Sequence, residues 1–167
     1  MSEIQRATPE VVRRIEERWA GLLPRVEAKL QTVNGFDRGQ EMRLLDQAAQ
    51  ASSVAKRVMW LRKAADTLHG SVASLAACRK GCSHCCHISV MLSRAEAKVI
   101  AKETGARFNE AAGQITLDDT QECQDALEAI TRQTYGQACT FLREGSCSIY
   151  SSRPLPCRLL ANMDDDD

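Results

Sequence analysis

The sequence predicts a mostly α-helical protein: an N-terminal helical hairpin, then a small irregular and partly helical cysteine-cluster domain organised around a metal centre. Three observations lead there. Apolar residues recur at spacings of three and four over most of the first 76 residues. Seven of the eight cysteines fall into two tight groups, Cys78 to Cys86 and Cys139 to Cys157. The second group carries Gly145, Pro154 and Pro156, which exclude long helices there. The expected divisions are 1–76, a helical hairpin extension; 77–163, the cysteine-cluster domain; and 164–167, an acidic tail.

Thr8 can cap the first helix and Pro9 suits its first turn. Val11, Ile15, Trp19, Leu22, Val26, Leu30 and Val33 then share one helical face. Pro24 should kink or split this helix, and Asn34-Gly35 makes a turn. A second, long helix is expected from about Arg38 to Ala76. Along it, Ala51, Val54, Val58, Leu61, Ala65, Leu68, Val72 and Leu75 form a heptad seam. The seam fits an antiparallel hairpin with the first helix. It also fits self-association or the docking of a protein partner. Ala51 and Ala65 bury little area, so neither arrangement would be strong alone.

After the first cysteine group, Ile88 to Leu92 is apolar but too short to assign by periodicity. Ser93 and Glu96 form a capping box for a helix from Ala95 to about Glu103, which Gly105 ends. Thr116 to Asp119 reads as a turn. Thr120 to about Tyr135 reads as a helix with Cys123, Ala126 or Leu127, and Ile130 on one face, ended by Gly136. Cys123 is therefore expected to be a core thiol.

A chain of 167 residues with 44% hydrophobic residues is one domain, or one domain with an extension. At this size about 70% of the unfolded surface can be buried, so folding needs no disulfides. The segment Met1 to Ala7 has no apolar stretch of the secretory type, and no run of about 18 apolar residues occurs. No membrane span is expected, and the cytoplasm is the expected compartment. Clustered cysteines there are more often metal ligands or redox groups than disulfides. Net charge is zero, with a basic bias up to His87 and an acidic bias beyond. That pattern reads as solvated helix surface. Aromatic residues are 4% of the chain, too few for a base-stacking platform, so a nucleic-acid partner is not expected.

The candidate metal ligands are Cys78, Cys82, Cys85, Cys86, Cys139, Cys147 and Cys157. Thiolate is a soft ligand that selects zinc, cuprous copper or iron–sulfur clusters. Gly81 permits the tight turn that aims successive thiols at one point. Side chains of adjacent residues such as Cys85 and Cys86 normally diverge. The pair thus points to a cluster, to two nearby centres, or to one ligand beside a redox thiol. Seven thiols exceed the four that one zinc ion or one ordinary cluster takes, so two centres exist or some thiols are spare. Disulfides and buried apolar thiols are the competing readings. His84 and His87 are further candidate ligands that so many cysteines do not require, and His69 reads as a partly exposed helix residue. Arg79, Lys80, Arg153 and Arg158 flank the thiols and are expected to lower their pKa values and offset their charge. Cys78-x-x-x-Cys82-x-x-Cys85 also has the spacing of radical S-adenosylmethionine enzymes, but the chain has little strand signal for the βα barrel those enzymes need.

The motif Cys78-x-x-Gly-Cys82-x-x-Cys85-Cys86, followed by Cys139-x-Phe-Leu-x-x-Gly-x-Cys147-x-Ile-Tyr-x-x-Arg153-Pro154-x-x-Cys157-Arg158, resembles the CxxCxxCC cysteine-cluster family, described as a zinc- or iron-chelating domain. The resemblance spans Cys78 to Arg158, about half the chain. It implies that zinc or an iron–sulfur cluster is bound by the seven cysteines of the two groups. One relative type, the flagellin lysine N-methylases, couples a similar cluster to S-adenosylmethionine chemistry, although those enzymes are longer and no Gly-rich nucleotide loop is visible here. Three functional classes follow. The centre is structural, or serves metal handling or electron transfer. Alternatively the chain is a cluster-dependent modifying enzyme, such as an S-adenosylmethionine-using protein lysine methyltransferase. Alternatively it is a metal-stabilised interaction module. No acid–base constellation accompanies the cysteines, which places the first class ahead.

Overall fold

A computed structural model describes residues 9–34, 37–78, 81–109, 115, 120–134 and 136–163. Its elements are α1 (Pro9–Gln31), α2 (Arg38–Ala49), α3 (Val54–Val72), α4 (Arg94–Thr104), α5 (Gln121–Thr134), a short hairpin of β1 (Leu142–Arg143) and β2 (Ser146–Cys147), and α6 (Leu155–Leu159). The chain is mostly helical, as expected. The expected cap at Thr8, the turns at Asn34-Gly35 and Thr116 to Asp119, the helix end at Tyr135 and the acidic tail involve residues outside those described.

Helix α1 opens at Pro9 and runs through Pro24 without ending. A proline removes one helical hydrogen bond, yet its fixed φ is compatible with the helix, so the neighbouring turns hold. Trp19, Leu23 and Leu30 of this helix are exposed, Trp19 by 55%. Lys29 donates from Nζ to the carbonyl of Met163 at 2.9 Å, which ties the end of α1 to the C-terminal segment.

The long second helix expected from Arg38 to Ala76 is instead two helices. Asp37 caps α2, accepting from Gln40 N. Gln50 closes α2, and Ser53 takes extended backbone angles and accepts from Lys56 N at 3.3 Å, opening α3. Serines compete with the helical backbone for its hydrogen bonds, which favours a cap over a helix interior. The three–four spacing of Ala51, Val54 and Val58 continues across this break, which makes the stretch look unbroken. The hairpin is therefore α2 against α3, rather than α1 against one long helix.

Helix α3 is the hub, packing on α2 and also on α4 and α6. The apolar core is Ala48, Val58, Ala64, Ala65, Cys86, Ile100, Cys123 and Ile149. Five of these eight are alanine or cysteine. Val58 and Ile100 each contribute about 1.5–3 kcal/mol by burial, and the small residues contribute less. Among the described residues, three charged ones share the interior: Arg62, Glu96 and Arg158.

The local signals after residue 90 hold well. Ser93 accepts from Glu96 N at 3.1 Å and opens α4. Gly105 ends it with φ +71°, where a side chain would be strained. Thr120 accepts from Cys123 N at the start of α5, and Cys123 is buried as expected. The β1–β2 hairpin turns through Glu144 and Gly145, both with positive φ, and pairs Leu142 with Cys147. Two residues at positive φ make the turn type whose twist suits a two-residue hairpin. Among the described residues, no helix is long and apolar enough to cross a membrane.

Candidate metal centre

Three stretches of chain bring the cysteines together. The first leaves α3 through tight turns, with Leu75 N and Ala76 N both donating to the Val72 carbonyl. Ala77 N donates to the Asn162 carbonyl at 2.8 Å, and Asn162 N donates to Cys78 Sγ at 3.0 Å. Gly81 turns the chain with φ +96°, and an added Cβ there would meet Ser146 Oγ of β2 at 3.9 Å. A 3₁₀ turn, His84–His87, then carries Cys85 and Cys86.

The second stretch joins the first through the backbone: Cys139 N donates to the Cys86 carbonyl at 2.7 Å. The β1–β2 hairpin follows and carries Cys147. Ser148 fastens its base, donating from both N and Oγ to the Phe141 carbonyl. The third stretch is α6 with Cys157. Cys86 is buried, Cys139 is exposed, and Cys78, Cys82, Cys85, Cys147 and Cys157 are half-buried.

Each of the seven sulfurs lies within reach of another's charge. Burial first, then the Cys82 charge with those of Cys78 and Cys147, pushes the Cys85 thiol up. Burial and the charges of Cys85, Cys147 and Cys139 push Cys86 up to about 12. Burial and the charges of Cys85, Cys139 and Cys147 push Cys157 up to about 11, against a smaller opposite pull from Arg153. Buried sulfurs close to one another resist becoming thiolates.

The Cys86 thiol acts as donor toward the Cys85 sulfur, which lowers the pKa of Cys85 and raises that of Cys86. At Cys157 the expected lowering of the thiol pKa by a flanking arginine is outweighed. Arg153 opposes the rise at Cys157 but is outweighed, and it stacks on the Tyr150 ring, 4.3 Å from its centroid. Arg158 is buried and turned to Asp66. Arg79 and Lys80 lie outside the described residues. His84 and His87 are exposed beside Cys85 and Cys86. His69 is a partly exposed helix residue, as expected, and its Nδ1 is buried with no partner among the described residues. Burial first, then Arg153, lowers its pKa against an opposing effect of Asp66.

Among the described residues, no three His, Cys, Asp or Glu side chains stand in an arrangement that would hold a metal ion. Charge acts over longer distances than coordination, so the thiols are neighbours without being a ready coordination sphere. Their chemistry fits zinc or an iron–sulfur cluster. The donors are all sulfur, and they come from three chain stretches.

Sequence reasoning missed the ionic framework beside the thiols. Arg62 donates through Nη1 to both oxygens of Glu103, at 3.0 and 2.8 Å, and its Nε lies 3.7 Å from Glu96 Oε1. Glu96, 2% exposed, also accepts from Leu155 N at 2.9 Å, which supplies the cap α6 lacks. The local clue was a pair of opposite charges, Arg62 and Asp66, one turn apart on α3 on either side of Ala64 and Ala65.

The comparisons with known proteins agree with this chemistry. The family model described as CxxCxxCC, "Putative zinc- or iron-chelating domain", matches residues 77–167, more than half the chain. No curated protein and no solved structure matches.

Proposed function

This chain belongs to the CxxCxxCC family of zinc- or iron-chelating domains, and on that premise we propose that Cys78, Cys82, Cys85, Cys86, Cys139, Cys147 and Cys157 form one thiolate-rich site. The site takes zinc or an iron–sulfur cluster, and serves a structural role, metal handling or electron transfer. The observation that carries this reading is the backbone contact between the two cysteine groups, Cys139 N donating to the Cys86 carbonyl at 2.7 Å, beside the raised pKa values of Cys85, Cys86 and Cys157. Zinc held by these cysteines would supply a fixed positive charge, and a cluster would supply one-electron chemistry.

The chain's own groups supply the rest. The backbone N–H of Asn162 donates to the Cys78 sulfur and fixes its position. The Cys139–Cys86 backbone bond holds the two cysteine groups in register. Residues 1–76 act as an extension that supports residues 77–163. Such a protein fits the cytoplasm, where thiols stay reduced.

Metal analysis with an absorption spectrum tests the reading. Anaerobically purified protein is expected to contain iron and sulfide, or about one to two zinc ions per chain. Cys82→Ser and Cys157→Ser should each lower that content. Metal-free, folded protein with every thiol titratable would overturn the proposal.

A further inference from the structure

We infer that Asp66, on a helix outside the family match, is a positioning residue for Cys157; this rests on the metal-centre reading above. Cys157 sits on α6, a helix of five residues that begins at Leu155 behind Pro154 with no side-chain cap of its own. A helix that short has no stability in isolation. Its placement comes from outside, and the structure shows the grips.

The carbonyls of Ser151 and Arg153 both accept from the Arg158 guanidinium, the latter at 2.9 Å from Nε. Arg158 Nη1 in turn donates to both carboxylate oxygens of Asp66, at 2.8 and 2.7 Å. One turn earlier on α3, Arg62 Nη2 donates to the Ser152 carbonyl at 3.3 Å. Residues Ser151 to Arg158 thus hang from two guanidinium groups, and α3 anchors both. Cys157 lies directly before Arg158, so the direction of its sulfur follows the Asp66–Arg158 pair. Asp66 itself is half exposed. Its carboxylate reaches inward to a buried cation rather than filling a core.

The test is a cobalt(II) titration of the full chain, read by thiolate-to-cobalt absorption, with far-UV circular dichroism as the fold control. For Asp66→Ala, cobalt affinity is expected to fall about 10–100-fold, as for other groups that orient a ligand from behind. If Cys157 is one of four ligands, the near-ultraviolet band falls by about a quarter. In a Cys157→Ser background, Asp66→Ala should cost nothing further, because both changes act through one sulfur. If Asp66→Ala disturbs the fold, Asp66→Leu/Arg158→Met removes both charges with similar volumes and carries the same expectation. Wild-type affinity and band shape in the folded variant would overturn the inference, as would fully additive losses in the Cys157→Ser background. A wild-type protein that shows no cobalt band at all would instead overturn the metal-centre reading, and this inference with it.

Discussion

Glu103 shows how single charges tune this fold. Burial raises its proton affinity, but hydrogen bonds from Arg62 and Ser152 and the charges of Arg62 and Arg158 outweigh that and leave the carboxyl below its usual 4.5. A carboxyl depressed in the folded state stabilises it above the unfolded pKa, and this contribution is lost as pH falls through the folded value. Stability is therefore expected to drop as pH goes below about 4.5. Glu103→Gln should flatten that acid limb, as measured by urea unfolding at a series of pH values. An unchanged slope would mean that Arg62 does not hold Glu103 in solution. The thiols follow the opposite logic. With Cys86 and Cys157 raised to about 12 and about 11, a bound cation must displace protons, so metal uptake strengthens as pH rises.

At the level of elements, the β1–β2 hairpin turns through Glu144 at φ +49° and Gly145 at φ +73°. A glutamate at positive φ is strained, whereas asparagine tolerates that conformation and Asn-Gly is the favoured pair for this turn. Glu144→Asn is expected to stabilise the protein by roughly 0.5 kcal/mol and Gly145→Ala to destabilise it by about 1 kcal/mol, read by denaturant unfolding. Equal behaviour of the two variants would argue against this turn type. The hairpin was illegible in the sequence because each strand has two residues, too few for any alternation to appear. The Ser93 cap and Gly105 stop were legible because their partners lie within the same turn of chain. The break between α2 and α3 was hidden because its apolar spacing continues through Ser52 and Ser53. The Asp66–Arg158 pair spans 92 positions, and no local pattern announces it.

Across the whole molecule, stability is divided between a modest apolar core and the sulfur-rich region. Any ligand held by the folded state alone adds to stability by mass action. If a metal centre contributes even about 4 kcal/mol, its removal lowers the melting temperature by roughly 8–16 °C for a chain of this size. A chelator added to loaded protein should produce that drop, while α2 and α3 keep their own share of the helical dichroism because they pack on each other. A melting temperature indifferent to the chelator would mean the centre bears no structural load. The seven-thiol group was legible as a group in the sequence, since cysteine spacing is explicit there. Its supports were not, because they come from helices before and between the two cysteine groups.

The contact between Asn162 N and Cys78 Sγ has a consequence for how this protein tolerates change. Its donor is the main chain, so it is indifferent to which side chain stands at position 162. Nineteen of the twenty genetically encoded residues supply the same N–H, and only proline lacks it. A scan of substitutions there would see this bond as permissive, with a single forbidden letter. A sulfur guarded in this way keeps its hydrogen bond under sequence drift that would erase one made by a side chain.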